Sequence, residues 1–216
     1  MTTSSPSPTG VDALIIDYNG VLGRQPTPAM WRRLADLAEW PSGHIDSFHD
    51  AFWAPREAYD AGEASDLAYW AKVLGHHPGP RWLHTLRAAD TAMWIHTDDR
   101  VLDILHRARA TGLPMVLLSN APHALSDTLD ATDWRRTLMT EALYSARLGL
   151  CKPDPAAYAH ALAATGIADP RRVLFIDDRE DNCQAAAELG LRTLHHTGQP
   201  ARLQQQLLPT APTTVR

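Results

Sequence analysis

Residues 11–22, VDALIIDYNGVL, open with an almost entirely apolar run that stops at Asp17 and is followed by Gly20. Such a run, ending abruptly in polar residues, is typical of a strand buried on both faces of a parallel sheet. We therefore predict a strand over 11–16 and expect functional groups to begin at Asp17.

The same pattern recurs later in the chain. Three further runs predict strands: PMVLL at 114–118, VLFI at 173–176 and, more weakly, RTLH at 192–195. Helical segments alternate with them, one beginning at a Thr97 cap and ending before Gly112, the others alanine-rich over 155–164 and 180–189. This alternation predicts an α/β fold, a Rossmann-like three-layer core with a parallel sheet between helices.

Residues 23–94 interrupt the alternation, because they contain helix signals and no strand-like run. Thr27 and Pro28 form a good cap and first position for a helix over 31–40, and Ser65 begins another helix that ends near Gly75. We interpret this region as an all-helical inserted domain. The predicted organisation is a disordered lead-in at 1–10, a core at 11–22 and 95–208, the helical insertion at 23–94, and a flexible tail at 209–216.

Composition narrows the functional class. The net charge of −5 argues against a nucleic-acid partner, and the longest apolar runs are far shorter than the roughly 20 residues that span a bilayer. The first residues lack the basic and apolar regions of a secretory signal, and two cysteines cannot form a disulfide framework in a chain of this size. We expect a cytoplasmic protein with reduced thiols and no membrane partner.

Polar residues follow three of the predicted strands: Asp17, the pair Ser119 and Asn120, and the pair Asp177 and Asp178. A single Asp after a strand is usually a turn or helix cap, but three such endings are hard to explain by capping alone. Ligand sites of parallel sheets lie at the carboxyl ends of the strands. Converging carboxylates need a cation between them, and oxygen ligands without a Cys/His cluster favour Mg²⁺. Lys152 is either a charge-balancing group of this site or a solvated loop lysine.

These segments resemble the ordered motifs of the haloacid dehalogenase (HAD) superfamily. The resemblance covers about residues 11–196 and rests on DYNGVL at 17–22, LLSN at 117–120, KPDPAAY at 152–158 and FIDDREDN at 175–182. The helical insertion is similar to that superfamily's C1-type cap, particularly YDAGEASDLAYW at 59–70. FIDDREDN is most similar to phosphatases related to the N-terminal domain of soluble epoxide hydrolase.

The resemblance implies a Mg²⁺-dependent phosphatase that acts on a small phosphorylated metabolite. Asp17 would be the nucleophile that becomes an aspartyl-phosphate, and Lys152 would balance its charge. It assigns phosphate binding to Ser119 and the backbone of Asn120, and Mg²⁺ to Asp17, the carbonyl of Asn19 and Asp178, with Asp177 acting through water and with Gly20 and Asn182 in support. Aromatic residues of the cap facing the site would favour a substrate with an apolar part. The oligomeric state is not encoded in any of these motifs.

Asn19 departs from the family pattern, because the phosphatases carry a second Asp there as general acid and base. An amide cannot exchange a proton readily at neutral pH. Either the substrate has a good leaving group, such as an acyl phosphate, or another group acts, for example His44, His49 or His123. The alternatives are chemistry at a carbon centre, as in dehalogenases, phosphoryl transfer, or a catalytically impaired binding protein. A phosphonatase would need a Schiff-base lysine in the cap, where Lys72 is the only lysine.

Overall fold

The computed structural model describes residues 10–208, and a five-stranded parallel sheet forms its centre. The strands are β1 (Ala13–Ile16), β2 (Met115–Ser119), β3 (Glu141–Tyr144), β4 (Val173–Asp177) and β5 (Arg192–His195). Their spatial order is β3-β2-β1-β4-β5, which places β1 in the middle. Ile16 is in register with Leu117 and with Ile176, so Asp17 lies level with Asp177 on the neighbouring strand.

Helices cover both faces of the sheet. They are α6 (Asp99–Ala110), α7 (His123–Asp130), α8 (Asp133–Leu138), α9 (Ser145–Leu148), α10 (Pro155–Thr165), α11 (Glu180–Glu188) and α12 (Pro200–Leu207). Alternate residues of β1 enter different cores: Leu14 and Ile16 pack with residues of α6 and α12, whereas Ala13 and Ile15 pack with α10 and α11. Burial on both faces explains why this strand is a continuous apolar run.

The inserted region is entirely helical among the described residues. It contains α1 (Pro28–Leu37), α2 (Ile45–Trp53), α3 (Arg56–Asp60), α4 (Asp66–Leu74) and α5 (Pro80–Trp94), which together we call the cap. Thr27 Oγ1 accepts a hydrogen bond from the Met30 amide and Ser65 Oγ one from the Ala68 amide, so both predicted caps are present. An aromatic cluster fills the cap interior: Trp31, Phe48, Phe52, Tyr69 and Trp70.

Two hydrogen-bonded connections join the cap to the core. The Arg24 amide donates to the His96 carbonyl at 2.7 Å, and the Asp98 amide donates to the Leu22 carbonyl at 2.9 Å. The two connecting segments therefore run side by side where the chain leaves the core and returns to it. The proposed separation of the cap at 23–94 from the core at 11–22 and 95–208 fits this arrangement.

The structure differs from the sequence-based expectations at several boundaries. The cap of α6 is Asp98 and not Thr97, because Asp98 Oδ1 accepts from the Arg100 amide at 2.9 Å. The short, half-exposed strand β3 was not predicted, and neither were α2, α3 and α5. The expectations of disorder at 1–9 and 209–216 lie outside the described residues. Gly10 is described, and its carbonyl accepts a hydrogen bond from Arg192. None of the helices within 10–208 is long and apolar enough to cross a membrane.

Candidate active site

Asp17 lies at the carboxyl end of the central strand and contacts a buried lysine. Lys152 Nζ is 2.6 Å from Asp17 Oδ1 and 2.7 Å from Asp177 Oδ2. The loop that carries Lys152 is held by Asn120, whose Oδ1 accepts from the Lys152 amide at 2.8 Å and whose Nδ2 donates to the Lys152 carbonyl at 2.9 Å. The side chain after β2 therefore fixes the lysine that bridges the ends of β1 and β4.

Burial and neighbouring charges shift the pKa values of Asp17 and Lys152. Burial raises the pKa of Asp17 well above its ordinary value; Lys152 opposes the shift, while Asp177 and Asp178 reinforce it. Burial alone would lower the pKa of Lys152, but Asp17 and Asp177 outweigh it and raise that pKa. The lysine consequently remains a cation between two carboxylates.

The two carboxylates that end β4 have different surroundings. Asp177 is fully buried, and its Oδ1 accepts from the Arg179 amide at 2.9 Å and from Asn182 Nδ2 at 3.0 Å. Because Lys152 occupies its Oδ2, both oxygens of Asp177 already have donors. Asp178 faces the cavity and has one side-chain donor, Gln25 Nε2 at 3.2 Å. Burial, followed by the charge of Asp177, raises the pKa of Asp178.

This carboxylate group fits a hard divalent cation. One oxygen each from Asp17, Asp177 and Asp178 lies within 4.8 Å of the others. The loop after β1 makes room for the group, because a Cβ on Gly20 would stand 2.0 Å from Asp178 Oδ2, and Gly20 has a positive φ of 77°. Oxygen donors arranged around a small space are the ligands that Mg²⁺ prefers.

Three buried polar oxygens beside these carboxylates lack a hydrogen-bond partner among the described residues. They are Asn19 Oδ1, Ser119 Oγ and Asn182 Oδ1. Ser119 ends β2 and is only 1% exposed, and a buried hydroxyl left without any partner would cost roughly 1–3 kcal/mol. Buried polar atoms of this kind indicate a site built for a bound ion, water or polar ligand.

A cavity of about 520 Å³ opens over these groups, between the core and the cap. From the core it is lined by Asp17, Asn19, Gln25, Asn120, Cys151, Lys152, Pro153, Asp178, Arg179 and Asn182, and from the cap by Trp53, Arg56, Glu57, Asp60 and Trp94. Asp177, Ser119 and Gly20 are not among the lining residues. His44, His49, His123 and Lys72 are not among the lining residues, which removes the support for the histidines as acids and for a Schiff-base lysine.

The cap side of the cavity contains a buried arginine that the sequence analysis missed. Arg56 donates from Nε to Asp60 Oδ1 at 2.8 Å and lies 3.1 Å from Asp90 Oδ2 through Nη1. Its guanidinium also lies 5.0 Å from the ring centroid of Phe52. Arg56 and Asp60 are at i,i+4 spacing just before Gly62. This spacing was the signal in the sequence from which their ion pair could have been predicted. Their position in the cavity depends on the packing of the cap.

Solved structures of similar fold include a HAD family enzyme from Bacteroides thetaiotaomicron in complex with magnesium and inorganic phosphate. It is 20% identical, with a TM-score of 0.69 over 88% of this chain and 96% of its own. A HAD-like family hydrolase from Porphyromonas gingivalis is 18% identical, with a TM-score of 0.69 over 90% and 97%. L-2-haloacid dehalogenase from Xanthobacter autotrophicus, with chloropropionic acid covalently bound, is 19% identical, with a TM-score of 0.62 over 85% and 76%. Identities this low show the shared fold alone.

A comparison with protein families matches residues 11–190 to the family described as haloacid dehalogenase-like hydrolases. The matched span begins just before β1 and continues past α11, so it contains every residue that lines the cavity. On the fold and this match, the chain belongs to the haloacid dehalogenase-like hydrolase family.

Proposed function

We propose that this hydrolase is a Mg²⁺-dependent phosphatase that cleaves a small phosphorylated metabolite through an aspartyl-phosphate on Asp17. The observation that carries the proposal is the grouping of Asp17, Asp177 and Asp178 oxygens within 4.8 Å, with Lys152 in contact. Three ionised carboxylates and one ammonium leave an excess of two negative charges in a buried site. A divalent cation balances that excess, and a phosphoryl group can then approach the nucleophile.

The resemblance to the family assigns the ligands, and the hydrogen bonds of Asp177 are consistent with that assignment. Asp17, Asp178 and the backbone carbonyl of Asn19 would hold Mg²⁺, whereas Asp177, with donors on both oxygens, would support it through water. Bound Mg²⁺ would neutralise charge on the phosphoryl oxygens. Asn182 supports the group by donating to Asp177, and Gly20 by leaving room for Asp178.

The chain's own residues then provide the chemistry. Lys152, the Ser119 hydroxyl and the Asn120 amide bind phosphoryl oxygens and orient phosphorus toward Asp17. An Asp17 oxygen attacks phosphorus, and the bond to the leaving oxygen breaks. Water next attacks the aspartyl-phosphate, releases phosphate and restores the carboxylate.

The cap helices and Asn182 support the proposed branch, and the aromatic residues of the cap support the proposed substrate class. The five cap helices between β1 and α6 fit the C1-capped branch, and Asn182 after the acidic pair fits the phosphatases related to the epoxide hydrolase N-terminal domain. Trp53, which is 48% exposed, and Trp94 both line the cavity. We therefore propose a phosphate ester with an apolar or aromatic part.

Phosphate release from a panel of alkyl, aryl and acyl phosphates, with Mg²⁺ or with EDTA, tests the proposal. We expect turnover that requires Mg²⁺, is abolished in Asp17→Asn and is retained in Asp127→Asn, which changes a surface carboxylate paired with Arg147. Release of halide from 2-haloacids without Mg²⁺ would instead support chemistry at carbon, which Asn19 keeps open. Phosphate binding without any turnover would indicate a catalytically impaired binding protein.

A further inference from the structure

Hydrolysis of an alkyl phosphate in this cavity needs a proton donor for the leaving oxygen, and the Asn19 amide cannot be that donor. Besides Asp17 and Asp178, the carboxylates that line the cavity are Glu57 and Asp60, both from α3 of the cap. Cys151 also lines the cavity, but burial raises the pKa of its thiol to about 11, so it holds its proton too tightly. Glu57 is exposed, whereas Asp60 is half-buried. The candidates for acid and base are therefore these two carboxylates, and they have very different surroundings.

Hydrogen bonds tie Asp60 to the loop that follows β2 in the core. The Ser145 hydroxyl donates to the Asp60 carbonyl at 2.5 Å, and Ser145 Oγ accepts from the Ala121 amide at 2.9 Å. Ala121 directly follows Asn120, which holds Lys152 in place. This chain of bonds fixes the backbone of Asp60 relative to Lys152, although the two residues belong to different parts of the fold.

The Asp60 carboxylate is held from one side only. Its Oδ1 accepts from Arg56, and within residues 10–208 its Oδ2 accepts no hydrogen bond. Asp90 on α5 shares the same arginine and is not part of the cavity lining. Burial raises the pKa of Asp60 to about 6, with Arg56 opposing the shift and Asp90 adding to it. A carboxyl that titrates close to neutrality suits both donation and acceptance of a proton.

We propose that Asp60 is the general acid and base of this phosphatase, in the role that the second Asp of the first motif has elsewhere in the family. The inference rests on the proposed function. As Asp17 attacks phosphorus and the ester P–O bond breaks, Asp60 gives its proton to the leaving oxygen, which departs as an alcohol. The Asp60 carboxylate then takes a proton from the water that attacks phosphorus. The bond from phosphorus to Asp17 breaks, releasing phosphate and regenerating a carboxylate on Asp17 and a protonated Asp60.

The test is the dependence of kcat/KM on the leaving group, measured with alkyl phosphates and with p-nitrophenyl phosphate. Asp60→Asn keeps an oxygen for Arg56 but has no proton to give. We expect it to lower kcat/KM for alkyl phosphates by about 10²–10⁴-fold and for p-nitrophenyl phosphate by less than about tenfold, since nitrophenolate leaves unaided. Adding Asn19→Asp to Asp60→Asn should restore kcat/KM for the alkyl phosphates.

Two matched variants separate this role from a structural one. Asp90→Asn removes the other carboxylate from Arg56; because the Asp90 charge helps to raise the pKa of Asp60, this variant should keep alkyl phosphate turnover but lose it at a lower pH than the wild type. Glu57→Gln should leave the leaving-group dependence as in the wild type. Equal losses on all esters in Asp60→Asn, or the selective loss in Glu57→Gln, would overturn the inference and leave the phosphatase proposal standing.

The single variant Asn19→Asp provides a readout that does not depend on how well Asp60→Asn folds. With an acid already in place, it should change alkyl phosphate turnover by less than about tenfold, whereas without one it should raise turnover by about 10²–10⁴-fold. The larger gain would contradict a role for Asp60. A wild-type protein that releases phosphate from no ester would overturn the proposed function and this inference together.

Discussion

Gly20 shows how one residue controls the geometry of the candidate metal site. Its amide donates to the Gly23 carbonyl at 2.7 Å, which closes a tight turn directly after Asn19. The turn places the Gly20 α-carbon against the Asp178 carboxylate, where a methyl group would collide. The resemblance to the family gives Gly20 a supporting role, and the close approach to Asp178 is a physical reason for a glycine at this position.

We expect Gly20→Ala to weaken Mg²⁺ binding as well as stability. The positive φ alone costs about 1–2 kcal/mol for an alanine, and the Cβ must also displace Asp178. Gly166→Ala is the matched control, because Gly166 has a similar φ of 71° but no atom within 4 Å of the added Cβ. Thermal melting with and without Mg²⁺ should show a Mg²⁺-induced rise in Tm for Gly166→Ala and little or none for Gly20→Ala. Equal rises in both would contradict the role given to Gly20.

Single residues at strand ends were the most predictable part of the candidate site. Parallel strands bring their carboxyl ends to one edge, so Asp17, Asn120 and Asp178 could be expected together from three apolar runs. Arg56 and Asp60 could not be, because α3 reaches the cavity through packing of the aromatic cap interior and not through strand order. A local sequence pattern can predict that α3 is a helix, but the position of α3 depends on packing against other elements.

At the scale of elements, the contact between α3 and α9 connects the cap to the core. Gly62 lies so close to α9 that a Cβ would stand 2.4 Å from the Ala146 carbonyl. Ser145, the first residue of α9, is 1% exposed and bridges Ala121 and Asp60 through its hydroxyl. This serine therefore hydrogen-bonds the cap and the core to each other beside the cavity.

Ser145→Ala should loosen the cap locally. It leaves the Ala121 amide and the Asp60 carbonyl without a partner, at a cost of about 1–3 kcal/mol. Ser126→Ala is the control, because this buried serine bonds only to Ala121 and Pro122 carbonyls of its own helix start. In hydrogen exchange, amides of residues 56–64 should exchange roughly tenfold faster in Ser145→Ala and unchanged in Ser126→Ala. Unchanged exchange in both would show that other contacts hold the cap.

Local sequence signals predicted elements well where capping chemistry was strong. Thr27 and Ser65 each bond an amide three residues ahead, which is a signal that the chain carries without any tertiary context. The α6 boundary was misplaced by one residue because Thr97 and Asp98 are both good caps, and the backbone there also pairs with Leu22. Strand β3 escaped prediction because EALY is half-exposed at a sheet edge and has no continuous apolar run.

For the whole molecule, Mg²⁺ should act as a stabilising ligand. A ligand at 100 times its Kd contributes about 2.7 kcal/mol to the free energy of unfolding, which corresponds to a Tm rise of about 5–10 °C in a domain of this size. Melting curves recorded across a Mg²⁺ titration check this, and EDTA should reverse the rise. Asp178→Asn should nearly abolish it, whereas Asp127→Asn, on the surface, should retain it. A rise that persists in Asp178→Asn would place the cation elsewhere.

The position of β1 at the centre of the sheet has a consequence for synthesis of the chain. β1 is made first, yet its two neighbours are β2, which follows the whole cap, and β4, which lies in the last quarter of the sequence. Until residues beyond 172 have been synthesised, the edge of β1 at Ile15 and Ile16 lacks the strand with which it pairs in the folded protein. Asp17 gains its full set of neighbours only when β4 has been translated, so a prematurely terminated chain carries Asp17 but not the complete candidate site.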